Sequence, residues 1–292
     1  FRLFWFAALA SNTGSWMQSA AVPYVAYQLT GTDGGVGVTG FFQYVPLLVM
    51  SALGGTLADR FDRKRLLVVT QVVQAAFAAL LWVVVATDSV TTVRLAALAF
   101  VGGLAGGLNV PIWQSFVSQL VPRDVLGNAI TLNSTQFNAA RALGTFLAGV
   151  VIAVWGAAAA FLVNAASFGA VLVVLPFIRS RATPRGDGPP ARVLADLRAG
   201  VRYVRETPGI VACCWSILAI AGLCSPLFSF LTASYGQEIF RVEGWRIGVL
   251  WGAGGIGAVA TAPVLLTVGA RAPRHRLLVL AMAAYAVVSE GA

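Results

Sequence analysis

Charged residues are scarce in this chain. Asp, Glu, Lys and Arg make up 11% of its 292 residues and hydrophobic residues 58%, whereas about 25% charged residues is usual in a soluble domain. The charges also cluster, and they leave seven uncharged runs of more than 20 residues, at 3–32, 34–58, 66–87, 95–122, 142–178, 207–237 and 247–270. A helix needs about 20 mainly apolar residues to cross a bilayer. The composition therefore excludes a soluble protein and predicts a polytopic membrane protein.

Cysteine and histidine are also rare, and their positions argue against metal, redox and enzyme chemistry. Cys213, Cys214 and Cys224 lie in one apolar run without a CxxC pair, and the single histidine, His275, lies in a basic loop. An enzyme that works inside a membrane needs a Ser-His pair, paired aspartates or an HExxH motif, and the sequence offers none of these. It also has no GKS/T loop for nucleotide phosphates. We therefore expect no enzyme activity, no metal site and no cofactor.

The uncharged runs predict an all-α fold with nine membrane spans, the last incomplete. We place the spans at 3–28, 37–58, 66–87, 95–120, 127–154, 157–178, 209–234, 246–268 and from 277 onward. The long run at 142–178 is divided at Trp155-Gly156. The first domain, 1–178, is a six-helix bundle; a linker at 179–208 follows, with an amphipathic helix in its second half; residues 209–292 form part of a second bundle.

A weak internal repeat relates the two bundles. At an offset of 211 residues, Gly37-Val38 aligns with Gly248-Val249, and Arg63 aligns with Arg274. Both copies follow the same order of span, loop, span, basic loop and span. Spans seven to nine therefore look like a second copy of spans one to three. We expect the complete protein to contain two six-helix bundles, the second of which is truncated here after about three helices.

The net charge of +9 is distributed unevenly between the two sides of the predicted bilayer. If Arg2 is cytoplasmic and the spans alternate, 16 basic residues lie in cytoplasmic segments, whereas only Arg94, Arg241 and Arg246 lie outside. Cytoplasmic loops of membrane proteins carry an excess of Lys and Arg. The distribution predicts a cytoplasmic N-terminus and a cytoplasmic linker. It argues against nucleic-acid binding, for which the charge would be concentrated on one soluble face.

The densest cluster of charge lies between spans two and three, in the sequence GGTLADRFDRKRLL from Gly54 to Leu67. The part from Gly55 to Lys64 resembles the signature loop of the major facilitator superfamily, Gly-x-Leu-Ala-Asp-Arg-x-Gly-Arg-Lys. Asp62 stands where the general pattern has Gly, and this form resembles the bacterial branch of macrolide and siderophore exporters. The resemblance implies two six-helix bundles that rock to give alternating access to a site near the bilayer midplane. It also implies a gating role for six loop residues, which are Gly55, Asp59, Arg60, Asp62, Arg63 and Lys64.

Polar residues within the spans are the candidates for a substrate cavity, because polar groups that face lipid are costly. The sharpest is Arg141, since Ser134, Asn138, Arg141 and Thr145 share one face of span five and the eight complete spans contain no Asp or Glu. In the superfamily that the loop resembles, spans one, four, seven and ten line the central cavity. The cavity candidates are Asn12, Trp16, Gln18, Asn109, Trp113, Gln114, Asn138 and Arg141. The alternative, that these groups only hold helices together, stays open.

The sequence and the resemblance together predict a secondary transporter of the bacterial inner membrane that exports small amphipathic molecules, such as a drug or a siderophore. Its expected partners are the substrate, the lipid bilayer and, as the resemblance implies, protons; we expect a monomer. One alternative is an importer of a polar or anionic solute, which Arg141 favours and the exporter-like loop disfavours. Another, from a different class, is a membrane domain of a larger complex without independent transport.

Overall fold

Six long helices form a bundle in the first part of the chain. The computed structural model describes residues 1–178, 199 and 202–219, without the side chains of Thr56, Asp59, Arg60, Ile217 and Ala219. The six helices are α1 (Arg2–Thr30), α2 (Asp33–Arg60), α3 (Arg63–Ala86), α4 (Thr92–Gln119), α5 (Leu126–Trp155) and α6 (Ala157–Val174). A shorter helix, α7, spans Pro208–Ala219. All regular structure in this described part is helical, which confirms the predicted all-α fold.

The rest of the predicted second bundle and most of the linker lie outside the described residues. In the linker, residues 202–206 are helical, and Arg202 Nε lies 2.8 Å from Glu206 Oε1, one turn along. The repeated loop around Arg274 is not described.

Five helical segments in the described part are long and apolar enough to cross a membrane. They are Asp33–Gly55, Arg63–Ala86, Thr92–Gln119, Arg123–Trp155 and Ala157–Phe177. We expected a span at 3–28, but α1 is not among these segments. The polar stretch SNTGSWMQS in its middle makes α1 less apolar than the five segments. Helix α1 packs against α6, α5 and α2 instead of facing lipid all round, so that Ser11 and Gly14 are buried in helix contacts.

Turn residues end the helices close to the predicted bounds. Gly31 adopts the left-handed conformation, with φ of 63°, and its N–H donates to Tyr27 O and so closes α1. Thr32 begins α2 by accepting a hydrogen bond from Gly35 N at 3.3 Å. Gly156, with φ of 82°, separates α5 from α6, as the predicted division of run 142–178 required. Helix α6 ends earlier than expected, because Pro176 lies in a 3₁₀ turn and lacks the N–H that would continue an α-helix.

The helix contacts follow an internal two-fold pattern. Helix α1 packs mainly against α5 and α6, α4 packs mainly against α2 and α3, and α3 also packs against α6. Exchanging the first three helices for the last three maps α1–α5 onto α4–α2 and α1–α6 onto α4–α3, and it maps α3–α6 onto itself. This arrangement is that of two three-helix halves nested within one bundle.

Glycines bring the most closely packed helices together. A Cβ at Gly103 would overlap the backbone oxygen of Gln43, and one at Gly107 would overlap that of Leu47, so the α4 and α2 backbones are in contact. In the pair α1–α5, which the two-fold pattern relates to α4–α2, Gly144 of α5 contacts the backbone of α1 at Thr13. Such small-residue contacts are typical of helices that associate in lipid.

Two apolar clusters fill the bundle, one towards each end. We call the end that carries Arg2, Arg63, Lys64, Arg65 and Arg123 the basic end. The cluster near it includes Phe4, Leu67, Ile112, Trp113, Phe116 and Leu175, and the one towards the opposite end includes Met17, Val25, Leu81, Leu95, Ile152 and Phe161. Each of the six helices also buries at least one polar side chain, among them Ser11, Thr70, Gln136 and Asn164.

Candidate functional site

The turn between α2 and α3 contains the helix cap of α3. Asp62 Oδ1 accepts a hydrogen bond from Arg65 N at 2.7 Å, so Asp62 is the N-cap of α3. A carboxylate at this place also interacts favourably with the positive end of the helix dipole. The departure from the superfamily pattern, Asp for Gly, therefore has a local structural role.

Two basic residues of the same turn bind the carbonyl ends of neighbouring helices. Arg63 donates from Nε to Ala58 O at 3.0 Å and from Nη1 to Ser115 O at 3.4 Å. Lys64 Nζ donates to Ile178 O at 2.9 Å and to Pro176 O at 3.4 Å. These carbonyls lie near the C-terminal ends of α2 and α4 and just beyond α6, where cations are favourable. The start of α3 is thereby tied to three other helices.

The remaining loop candidates are described less fully. Gly55 lies in α2 where an added Cβ would meet nothing within 4 Å. The side chains of Asp59 and Arg60 lie outside the described residues, so their predicted gating contacts are not seen.

Arg141 lies over the aromatic ring of Trp16 at mid-height of the bundle. The guanidinium carbon of Arg141, in the middle of α5, is 5.8 Å from the Trp16 ring centroid, in the middle of α1. The Phe137 ring meets the same indole edge to face, with 5.6 Å between centroids. Arg141 is half-buried and, among the residues that the structure describes, it has no hydrogen-bonding or ion-pair partner for its guanidinium. The geometry is that of a cation–π contact.

Asn138 lies one turn before Arg141 on the same face of α5. Its Nδ2 donates to Ser134 O at 3.0 Å, and Thr145 Oγ1 donates to Arg141 O at 2.8 Å. These bonds stay within α5, so Asn138 and Thr145 make no side-chain hydrogen bond to any other described helix. Trp16, Asn138 and Arg141 thus form one half-open face, which we call the Arg141 face.

Three other cavity candidates join helices across the bundle. Asn12 Nδ2 donates to Gln136 Oε1 at 3.2 Å and so joins α1 to α5. Trp113 Nε1 donates to Asn133 Oδ1 at 3.3 Å and joins α4 to α5. Gln18 Oε1 accepts from Asn164 Nδ2 at 2.8 Å and joins α1 to α6.

The last two candidates lie on α4 and differ from each other. Asn109 Oδ1 accepts from Thr70 Oγ1 at 2.8 Å and from Gln71 Nε2 at 3.4 Å, so Asn109 joins α4 to α3. Gln114 is exposed on the surface of the described bundle. The structure therefore does not gather the eight candidates into one site.

Sequence reasoning missed the partners of these residues. They are Thr70, Gln71, Asn133, Gln136 and Asn164, all buried in the bundle. A signal was present, because a lone amide in an apolar span, such as Asn164 in FLVNAASFG, requires a hydrogen-bonding partner in lipid. Attention to spans one, four and five left spans two, three and six unexamined.

A protein-family model matches nearly the whole chain, and individual relatives match part of it. Residues 1–291 match the family model of transmembrane secretion effectors, a family of the major facilitator superfamily. The chain is 30% identical to the staphyloferrin A transporter of Staphylococcus aureus over 145 residues, 48% of this chain and 36% of that protein. It is 26% identical to the multidrug efflux pump Tap of Mycolicibacterium fortuitum over 273 residues, 88% of this chain and 65% of that protein.

A further relative is the Na(+), Li(+), K(+)/H(+) antiporter of Planococcus maritimus, with 29% identity over 144 residues, 48% of this chain and 33% of that protein. The chain thus spans between 33% and 65% of the length of these three relatives. The resemblance read from the loop at Gly55–Lys64 is confirmed, because the family model covers nearly all residues. The chain belongs to the transmembrane secretion effectors of the major facilitator superfamily.

Proposed function

We propose that the protein is a secondary active carrier, not an enzyme, that exports small amphipathic molecules from a bacterium by alternating access. The observation that carries the proposal is the contact between Arg141 and Trp16. A mid-span arginine is costly in lipid, by at least about 3 kcal/mol. A residue at that position is expected to face a partner helix or a pathway for polar solutes.

The Arg141 face suggests the chemistry of the substrate. The guanidinium can bind a carboxylate or another anionic group through paired hydrogen bonds, while the rings of Trp16 and Phe137 offer apolar contact. A molecule with an anionic or strongly polar group and an apolar body meets both requirements. Relatives that are a siderophore carrier and a multidrug pump support this class of substrate. Of the predicted candidates, Trp16, Asn138 and Arg141 are proposed to contact substrate.

The turn between α2 and α3 is proposed as the gate on the cytoplasmic side. The ties made by Arg63 and Lys64 bind the start of α3 to α2, α4 and the end of α6. Hydrogen bonds of this kind can be made in one orientation of the bundles and broken in another. Asp59 and Arg60 are proposed to complete the gate.

The proposed location is the bacterial inner membrane, with the basic end of the bundle in the cytoplasm. Among residues 1–178, six basic residues lie at the helix ends and loops of the basic end, and only Arg94 lies at the opposite end. This asymmetry follows the enrichment of Lys and Arg in cytoplasmic loops. We propose a monomer coupled to a proton gradient.

An importer of an anionic solute is a second candidate, because Arg141 favours it as much as it favours export. One experiment separates the two. The full-length protein is reconstituted in liposomes, and the flux of staphyloferrin A and of ethidium is followed in both directions, with and without an imposed pH gradient. Export predicts gradient-driven flux from the face that carries the basic loops.

Each other outcome contradicts a stated part of the proposal. Flux in the opposite direction supports the importer. Flux that is indifferent to the gradient contradicts proton coupling. Absence of flux of either probe, with correctly folded protein, contradicts independent transport of this class of substrate and supports a membrane domain of a larger complex.

A further inference from the structure

A cavity lies inside the six-helix bundle, apart from the Arg141 face. Its volume is about 170 Å³. Its walls come from the middle parts of α1, α2, α3, α4 and α6, and neither Trp16 nor Arg141 lines it. Six polar side chains line it, namely Ser15, Gln18, Ser19, Gln43, Gln74 and Asn164. None of its lining residues is ionisable at neutral pH.

The amides around the cavity keep unused hydrogen-bonding atoms. Asn164, which is 1% exposed, donates through Nδ2 to Gln18 Oε1 at 2.8 Å, and this bond leaves the Gln18 NH₂ group without an acceptor among the described residues. The Gln43 amide makes no hydrogen bond with any described part of the chain. Two amide NH₂ groups, one on α1 and one on α2, therefore keep both of their N–H donors among the described residues.

Acceptor atoms complete the lining. The Ser15 hydroxyl donates to Ser11 O and the Ser19 hydroxyl donates to Ser15 O, each one turn back along α1 and each at 3.0 Å. Gln74 donates one of its two amide N–H groups to Thr70 O at 3.3 Å. The hydroxyl oxygens and Gln74 Oε1 keep their accepting lone pairs. Buried polar atoms in a protein almost always have partners, so this lining is suited to a guest that both donates and accepts.

The double glycine repeat of α4 explains why the cavity exists. Gly103 and Gly107 contact the α2 backbone, whereas Gly102, Gly106 and also Gly103 line the cavity. A Cβ at Gly102 would meet nothing within 4 Å. Gly103 therefore takes part in both the helix contact and the cavity wall, and the missing side chain of Gly102 leaves volume open.

Two aromatic side chains in the cavity wall indicate what kind of molecule could bind there. Phe77 of α3 and Phe168 of α6 line the cavity, and cavities of about 150 Å³ are known to hold a molecule of benzene. We propose that this cavity is a binding site for a small neutral molecule, or a neutral part of one, with a single aromatic ring and an amide or hydroxyl group. A charged guest is excluded, because no counter-charge lines the site and a buried unpaired charge is strongly unfavourable.

Benzamide is a suitable probe, since it has one ring and a carboxamide. Its binding to the full-length protein in detergent micelles is measured by saturation-transfer NMR titration. We expect saturable binding, at least tenfold weaker in Gly102→Leu, whose side chain fills the cavity. Gly169→Leu is the matched control, because a Cβ at Gly169 of α6 also meets nothing within 4 Å but Gly169 does not line the cavity; binding should not change.

A second variant tests the polar lining without filling it. Gln43→Leu keeps the volume of the side chain and breaks no hydrogen bond with the described residues, so we expect a folded protein that binds benzamide about tenfold more weakly, on the basis of about 1.4 kcal/mol for one well-placed hydrogen bond. This variant keeps the test decisive if Gly102→Leu fails to fold.

The site is independent of the proposed transport function. Arg141→Met should leave benzamide binding unchanged, while it should reduce the binding of benzoate, whose carboxylate suits the Arg141 face. Three results would overturn the proposal: no saturable benzamide binding, equal binding in wild type, Gly102→Leu and Gln43→Leu, or loss of benzamide binding in Arg141→Met alone.

Discussion

Arg141 of α5 lies over Trp16 of α1, with the guanidinium carbon 5.8 Å from the centre of the ring. The two residues occupy the middle of their helices, and their contact joins α1 to α5 beside the backbone contact at Gly144. A cation that would be costly in lipid is partly stabilised by the ring, and its hydrogen-bond donors stay available within the described part of the chain. The first prediction follows from this arrangement.

Removing the charge should impair transport more than changing the ring. Arg141→Met should abolish the gradient-driven flux of staphyloferrin A, and Arg141→Lys should retain part of it. Trp16→Leu should weaken the apparent affinity for the substrate by about 2- to 30-fold, because a cation–π contact contributes about 0.5–2 kcal/mol. Flux in liposomes measures each effect. Arg94→Met is the control, because Arg94 is exposed at the opposite end and, among the described residues, its guanidinium donates only to Ser89 O. Equal losses in Arg94→Met and Arg141→Met would contradict the role of Arg141.

Two adjacent glycines in α4 should respond oppositely to the same substitution. Gly103→Ala places a methyl group against Gln43 O and should destabilise the bundle by about 1–3 kcal/mol. Gly102→Ala meets open space and should stabilise it by up to about 1 kcal/mol, since Ala is the better helix former. Thermal unfolding in detergent measures the stability of both variants. Identical melting temperatures would contradict the orientation of α4 in which Gly103, and not Gly102, faces the α2 backbone.

The lysine of the signature loop should contribute to stability through its carbonyl contacts. Lys64→Met removes the donor to Ile178 O and Pro176 O, and we expect a loss of about 1 kcal/mol, because the ammonium group is half-buried and partly screened. Arg65→Met removes a neighbouring charge that is exposed and makes no side-chain bond to the described residues. A melting temperature that falls equally in both variants would assign the effect to charge alone.

Replacement of Asp62 by another residue that caps helices should change the stability of the protein only slightly. Asp62→Asn keeps an oxygen for Arg65 N and should change stability little, whereas Asp62→Ala should lose about 1 kcal/mol. Asp62→Gly restores the general superfamily residue and should lose only a few tenths of a kcal/mol, because Gly is an acceptable N-cap. Denaturant unfolding of the three variants gives the order. A larger loss for Gly than for Ala would contradict the capping role.

Opposite ends of α2 should lie on opposite sides of the membrane. In a variant with Cys213, Cys214 and Cys224 replaced by Ser, we expect a membrane-impermeant maleimide to label Gly34→Cys in intact cells and to label Phe61→Cys only after the membrane is opened. Both positions are exposed in the structure. Labelling of both from outside would contradict the proposed orientation and, with it, the assignment of the basic end to the cytoplasm.

The positions of the helices could be predicted from the sequence because membrane-spanning segments must be apolar. Charge is excluded from the bilayer core, so uncharged runs mark the spans and charged residues mark the turns. The division of run 142–178 at Gly156 followed from the same logic, since glycine readily adopts the positive φ observed there. Helix α1 was also located, although its polar middle makes it less apolar than the five segments that could cross a membrane.

The roles of the polar residues could be predicted only in part. The shared face of Asn138 and Arg141 follows from their spacing along one helix. Gln18 and Asn109, however, were grouped with them as cavity candidates, and in the structure they join α1 to α6 and α4 to α3. Hydrogen bonding between spans depends on which helices are neighbours, and spacing within a helix carries no information about that.

The sequence by itself determined the family, the helical membrane fold and the places where helices end, because these depend on local composition and on a motif within ten consecutive residues. Only the tertiary structure decided that Arg141 meets Trp16, that Gly103 touches α2 while an added Cβ at Gly102 would meet open space, and that amides from four helices line one cavity. The physical reason is that the rotation of each helix about its axis is set by all of its packing partners together, and a rotation of about 100° separates two consecutive residues.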